Sequence, residues 1–309
     1  MNNAHIVLGA AGVSGRALID VLQESGKTVT AVSRSAKFSD IEQREADLLD
    51  PDQAMRAVKG ASHVYLCAGL PYSVRVWQRD WPLLVQNVVQ ACEKADARLI
   101  FLDNIYMYGP APLAVPFDES HRQDPPSRKG AARKQAAGII LQAHLEQRIQ
   151  AVIGRSADFY GPGVTNSMLY ISMLERMLQG KPPQALGRLD VPHTFAYVPD
   201  NARALAALAA ADSVYGKAWH LPVSEAVTLH EAVNTINSVL ETELTPTTVP
   251  RPMLKMMGLF VSPIREIGEM LYQFDDPYIM DDSAFRRTFP DFAATPFQEG
   301  IRSMVQSFQ

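Results

Sequence analysis

Seven residues near the start constrain the fold more than any others: Gly9-Ala10-Ala11-Gly12-Val13-Ser14-Gly15. The string follows a short apolar run, Ile6-Val7-Leu8, that reads as a strand, and precedes a helical pattern beginning near Arg16. In that setting each glycine has a physical task. Gly9 permits a tight turn, Gly12 removes a side chain where a pyrophosphate must approach the backbone, and Gly15 lets the helix pack closely on the strand. Ala11 and Val13 complete the cradle, and the helix start offers free N–H groups and partial positive charge to phosphate. The spacing predicts a dinucleotide site on an α/β, doubly wound parallel sheet of the Rossmann type.

The next two-thirds of the chain fits that plan, alternating β-branched runs with helical patterns. Further strands are expected near residues 29–33, 63–67, 98–102 and 151–154. Helices are expected over 82–95, with Leu84, Val85, Val88, Val89 and Cys92 on one face, and over 130–148. These two helices are also the expected homodimer surface. After Tyr160-Gly161-Pro162-Gly163 the pattern becomes a Met-rich helix, loops around Pro182-Pro183, a return strand near 194–198 and an Ala-rich helix over 200–211. Helices over 229–240, 253–272 and 297–308 read as a smaller, mostly helical lobe. The expected division is a dinucleotide domain of 1–163 plus about 193–222, and a substrate-binding lobe of about 164–192 plus 223–309.

Of the 309 residues, 29 are Lys or Arg and 33 are Asp or Glu, a formal charge of −4. That is too mild to attract nucleic acid or an anionic membrane, so a small-molecule substrate is the expected partner, with no nucleic acid and no membrane. Cys67 and Cys92 have no paired spacing and sit in apolar runs, as expected of a reducing, cytoplasmic setting. The start does not resemble a signal peptide, and no apolar run is long enough to span a bilayer. The histidines lack metal-ligand spacing, so no metal is expected.

The second strand ends in Ser33-Arg34-Ser35, and no carboxylate follows until Asp40. An acidic residue there would bond the ribose hydroxyls of NAD; Arg34 instead offers a planar fork for a phosphate and Ser33 a hydroxyl. NADP is therefore the expected cofactor, with NAD the alternative. The blander reading is that Arg34 caps an exposed strand end.

Taken in order, the landmarks resemble the extended short-chain dehydrogenases, the NAD-dependent epimerase/dehydratase family. Asp47-Leu48 resembles the family's Asp-Leu pair, which implies a contact from the Asp47 carboxylate to the adenine amino group, although Asp47 as a cap of the Pro51 helix is the structural alternative. Cys67-Ala68-Gly69 resembles the segment beside the nicotinamide ribose, and Asn87 the structural asparagine of the next helix. Tyr108-Gly109-Pro110, Arg155 with Tyr160-Gly161-Pro162-Gly163, Phe195-Ala196-Tyr197-Val198-Pro199-Asp200 and Thr295-Pro296-Phe297-Gln298-Glu299-Gly300-Ile301 follow in family order.

One departure matters. The resemblance implies a serine or threonine after the fifth strand and then Tyr-x-x-x-Lys, whose tyrosine exchanges a proton while the lysine holds the ribose. The matching positions here are Asn104, Lys129 and Arg133, and no Tyr-x-x-x-Lys occurs elsewhere. Arg133 cannot act as a base but can hold a ribose hydroxyl or phosphate. Lys129 can exchange a proton when desolvated and also lies where the cofactor is expected. Asn104 can donate its amide to a carbonyl oxygen, and Tyr106 can supply the proton. The cations of Lys129 and Arg133, four apart, repel unless an anion lies between them, and an anionic ligand is the expected one. The alternative is that Arg128, Lys129, Arg133 and Lys134 form a solvated basic face. Two functions follow: an NADP-dependent oxidoreductase or epimerase/dehydratase-like enzyme acting on a carbonyl or carbinol such as a nucleotide sugar, or a catalytically silent NADP-binding sensor.

Overall fold

The computed structural model describes residues 4–35 and 38–309. Its first elements are β1 (Ala4–Leu8), α1 (Val13–Glu24), β2 (Thr28–Ser33), β3 (Glu42–Glu45), α2 (Pro51–Val58), β4 (His63–Leu66), α3 (Val74–Ala95), β5 (Arg98–Asn104), α4 (Arg128–Leu145) and β6 (Ala151–Ser156). There follow β7 (Asp158–Tyr160), α5 (Glu175–Leu178), β8 (Gln184–Ala185), β9 (Pro192–His193), β10 (Phe195–Tyr197), α6 (Val198–Ala210) and β11 (Ala218–His220). The last are β12 (Val227–Thr228), α7 (Leu229–Leu240), β13 (Thr247–Thr248), α8 (Arg251–Phe260), α9 (Ser262–Gly268), α10 (Ser283–Thr288) and α11 (Phe297–Gln306).

Two units emerge, the first from Met1–Met107, Lys129–Ser156 and Asn201–Leu221, the second from Tyr108–Arg128, Ala157–Asp200 and Pro222–Gln309. The first holds a seven-stranded sheet in the order β11-β6-β5-β4-β1-β2-β3, and every pairing in it is parallel. Its central strands carry continuous apolar runs, Ile6-Val7-Leu8 in β1 and Leu99-Ile100-Phe101 in β5, all fully buried. A sheet covered on both faces requires this, because every side chain then meets a helix. Chain order reverses between β1 and β4, which places a switch point beyond their carboxyl ends.

The edge strands were not expected from sequence. β3 is Glu42-Gln43-Arg44-Glu45, with no apolar alternation to betray it, and is held partly by Arg44 Nη1 donating to the carbonyls of Ala57 and Lys59 at 2.9 and 2.8 Å. β11 is three residues long. α3 begins eight residues before the expected Pro82, because the buried stripe of Val74, Trp77, Trp81, Leu84 and Val85 runs through the proline and its packing outweighs the lost hydrogen bond.

The second unit has its own core, built around Tyr160, Met173, Phe195, Ile236, Phe297 and Ile301. The return strand appears as β10, paired with β7 in a separate two-stranded ribbon, so residues 157–163 and 193–200, expected in the first domain, fall in this unit, as do 108–128. The helix expected over 253–272 is broken into α8 and α9, since Pro263 opens α9 and cannot continue α8. Among the described residues no helix is long and apolar enough to cross a membrane.

Candidate cofactor and active site

β1 delivers Gly9 with φ of 85°, a left-handed conformation that glycine adopts without strain. The N–H groups of Gly9 and Ala10 both donate to Val32 O at 3.0 Å, and Gly12 N–H closes the turn on Gly9 O at 3.0 Å. A Cβ at Gly9 would stand 2.4 Å from Ala68 Cα, and one at Gly15 2.5 Å from Gly9 O, so packing itself dictates both glycines. At Gly12 the nearest atom would be Gly9 O at 3.4 Å, an ordinary contact. The fold itself therefore does not demand glycine there. Gly12 is the N-cap of α1 and no side chain caps it among the described residues, so the first N–H groups, starting at Val13, are left for an anion. Ala11 is exposed beside them.

Ser33 ends β2 and the exposed Arg34 follows it; the residue paired with Ser33 on β3 is Glu45. Asp47 does not cap α2. That role belongs to Asp50, whose Oδ1 accepts from Gln53 N–H at 2.9 Å, while Asp47 Oδ1 accepts from Leu49 N–H at 3.0 Å and so shapes its own turn. Asn87 Nδ2 donates to Leu48 O at 3.0 Å, pinning the Asp47-Leu48 segment to α3 as a scaffold residue would.

Beyond β4, Cys67 N–H donates to Leu8 O at 2.9 Å, and Ala68 abuts Gly9 as described. Burial pushes the Cys67 thiol up to about 12, which removes it as a nucleophile at neutral pH. Gly69 has open space where a side chain would be.

β5 ends in Asp103-Asn104. Asn104 Oδ1 accepts from Tyr106 N–H at 3.1 Å, fixing the turn that carries Tyr106 and leaving the amide group of Asn104 as its donor. The Tyr106 ring stacks on Trp77 with centroids 6.2 Å apart, and Trp77 meets Tyr72 edge-on at 5.5 Å. Lys129, at the start of α4, is 0% exposed, and its Nζ lies 4.4 Å from the centre of the Tyr72 ring. Lys129 is thus linked to Tyr106 only through the Tyr72 and Trp77 rings, and Asn104 stands at the carboxyl end of β5, the end of the parallel sheet at which β1 delivers the glycine loop.

Arg133 goes elsewhere. Only 4% exposed, it donates from Nε to Asp103 Oδ1 at 2.7 Å and from Nη2 to Leu102 O at 3.3 Å, with its guanidinium 4.0 Å from the centre of the Trp81 ring. Arg155 Nε lies 3.8 Å from the other Asp103 oxygen. The anion that offsets the Arg133 charge is therefore Asp103, not a ligand. The solvated basic face is also corrected: Arg128 and Lys134 are exposed, but Lys129 and Arg133 point inward. Asp103, Tyr72, Trp77 and Trp81 were missed from sequence, although Trp77 and Trp81, four apart on one helix, are a signal for a shared aromatic face.

With this geometry in place, comparison with known proteins is informative. The family model for the NAD dependent epimerase/dehydratase family matches residues 5–221, which end one residue after β11. The chain is 25% identical over 303 residues to a 3beta-hydroxysteroid-dehydrogenase/decarboxylase isoform 2 of Arabidopsis thaliana, covering 85% of this chain and 51% of that protein. It spans about half the length of the curated relatives it matches. Among solved structures, MoeE5 in complex with UDP-glucose and NAD is similar with a TM-score of 0.80 and 23% identity, over 99% of this chain and 98% of that one. A UDP-glucuronic acid 4-epimerase from Bacillus cereus in complex with UDP-glucuronic acid and NAD matches with a TM-score of 0.80 and 17% identity, over 98% of each chain. At these identities the solved structures establish the fold, and the family model, which matches most of the chain, establishes the rest: this chain belongs to the NAD-dependent epimerase/dehydratase family.

Proposed function

We propose that the chain binds NADP along the edge from Gly9 to Arg34 and reduces or isomerises a carbonyl/carbinol substrate, with Asn104, Tyr106 and Lys129 around the reacting oxygen. The observation that carries this reading is Lys129, fully buried with its Nζ over the Tyr72 ring at the start of α4. The nicotinamide supplies or accepts hydride when bound. Gly12 and the start of α1 hold the pyrophosphate, Asp47 faces the adenine, and Ala68 and Gly69 line the ribose. The Asn104 amide orients the substrate oxygen, and Lys129 Nζ or the Tyr106 hydroxyl gives it a proton. Arg133 acts at one remove, holding Asp103 and so the end of β5. The structurally similar proteins in complex with NAD and with UDP-glucose or UDP-glucuronic acid support a nicotinamide cofactor and a sugar-nucleotide class of substrate.

The test is a carbonyl and carbinol panel that includes sugar nucleotides, read both by NADPH oxidation and by product analysis for redox-neutral isomerisation. Given a turning-over substrate, Lys129→Ala should cut kcat by about 10² to 10⁴ if Lys129 is the proton donor, and Tyr106→Phe should show that loss instead if the phenol is. If neither variant changes turnover, the assignment is wrong. The altered Tyr-x-x-x-Lys positions favour a second reading, a cofactor-binding sensor; stoichiometric NADPH binding with no turnover across the panel would select it. Self-association through 82–95 and 130–148 is also proposed, supported by exposed Leu83 and Leu145 on α3 and α4. Sedimentation velocity of the wild type and of Leu83→Glu tests it, and an unchanged monomer in both rejects it.

A further inference from the structure

Eleven large hydrophobic side chains are exposed among the described residues, and six of them, Met253, Met256, Met257, Leu259, Phe260 and Val261, fall within nine positions of α8 and its exit turn. Contiguous apolar exposure of this kind marks an interaction surface rather than ordinary scatter. Exposure along the helix alternates with its face, 42% at Met253, 7% at Leu254, 59% at Met256 and 38% at Met257, and is greatest at its end, 74% at Leu259 and 86% at Phe260. The apolar surface is thus concentrated at the tip of a helical hairpin. α9 folds back so closely that a Cβ on Gly258 would lie 3.3 Å from Arg265 Cα.

The tip itself carries cations and no acid, the first carboxylate beyond it being Glu266. Residues 244–265 contain no Asp or Glu but include Arg251, Lys255 and Arg265, in a chain whose formal charge is −4. Arg251 is engaged with Asp275 at the base of the hairpin, whereas Arg265 is exposed beside the tip. α8 has ten residues and measures about 15 Å, roughly half the hydrocarbon thickness of a bilayer, so it is too short to cross one.

We propose that the α8–α9 hairpin is a monotopic insertion tip that docks this protein on an anionic lipid surface, with Leu259, Phe260 and the flanking methionines entering the headgroup–acyl boundary and Arg265 meeting lipid phosphate. An apolar tip flanked in sequence by Lys255 and Arg265, with its first acid only at Glu266, matches such a surface. A second copy of the chain would require a broad self-complementary face, and the exposed apolar residues are confined to a tip. The mild overall charge that argued against a membrane averages over this local excess.

The experiment is co-sedimentation of the full chain with vesicles of phosphatidylcholine containing phosphatidylglycerol, and with phosphatidylcholine alone, at low and high salt. Binding should favour the anionic vesicles and weaken with salt. The double variant Leu259→Ser with Phe260→Ser should lower partitioning roughly ten-fold or more, since the two most exposed apolar side chains are lost. Its circular dichroism and NADPH titration should match the wild type, because both residues are exposed and outside the glycine loop. Wild type remaining in the supernatant with anionic vesicles at low salt would overturn the proposal, as would a double variant that binds equally well. Loss of a concentration-dependent dimer in the variant, without vesicle binding by the wild type, would assign the tip to a second copy instead.

Discussion

At Gly12 a new side chain would meet one carbonyl oxygen, whereas at Gly9 and Gly15 it would strike backbone. The three glycines should therefore separate on mutation. Gly12→Val should abolish NADPH binding while leaving the circular dichroism spectrum and melting temperature near wild type, and Gly15→Val should lower the melting temperature itself. Equal affinity in Gly12→Val would remove the loop from the site. Arg34→Ala should erase a preference for NADPH over NADH in a fluorescence titration; a preference that survives would place the 2′-phosphate elsewhere. At this scale the sequence was most legible where backbone geometry makes the demand, since a tight turn asks for glycine regardless of distant partners. Arg133 was illegible for the opposite reason. Its partner Asp103 is 30 residues away, and only the packing of α4 on β5 brings them to 2.7 Å.

The pairing of β5 with α4 carries a buried ion pair, Arg133 with Asp103. Asp103→Asn would leave Arg133 buried without its counter-charge, a change that typically costs about 3 to 5 kcal/mol, and urea unfolding should show a loss of that order. A loss below about 1 kcal/mol would mean that water or another group takes over. Arg133→Lys should also destabilise, because an ammonium offers neither the planar stack on Trp81 nor the fork that reaches Asp103 and Leu102 O together. Converting Lys129 and Arg133 to the tyrosine and lysine of the wider family is then no simple restoration. Asp103, Trp81 and Arg133 must change together. Strands with strong apolar runs, such as β1 and β5, were legible, while β3 and β11 were not, because edge strands are short or polar and draw their stability from neighbours. Pro82 misled by its usual role at helix starts, which packing overrode.

For the whole molecule, the order of units was harder to read than the elements, since the chain passes between them repeatedly and the ribbon of β7 and β10 leaves no composition shift at its boundary. Stability should also depend on pH through the first unit. His5 on β1 stacks on His63 of β4 at 4.7 Å and bonds Tyr65 through Nδ1 at 2.9 Å. Burial first, then the neighbouring His63 and Lys27, pushes His5 down to about 4, and burial with Arg98 and Lys27 also lowers His63. The unfolded chain therefore binds more protons than the folded one below the ordinary histidine value. Stability should be complete above about pH 6.5 and fall as the pH drops towards about 4. His5→Gln should flatten that acid limb in a series of melting curves, and an identical limb would exclude His5 as its source. The sheet order has a last consequence, for how the chain is made. β2 pairs with β1, β3 with β2, β4 with β1, β5 with β4, β6 with β5 and β11 with β6. Every strand of this sheet after the first finds a neighbour already synthesised when it leaves the ribosome. The sheet can grow outward in the order of translation, first from β1 through β2 to β3 and then from the other side of β1 through β4, β5 and β6 to β11.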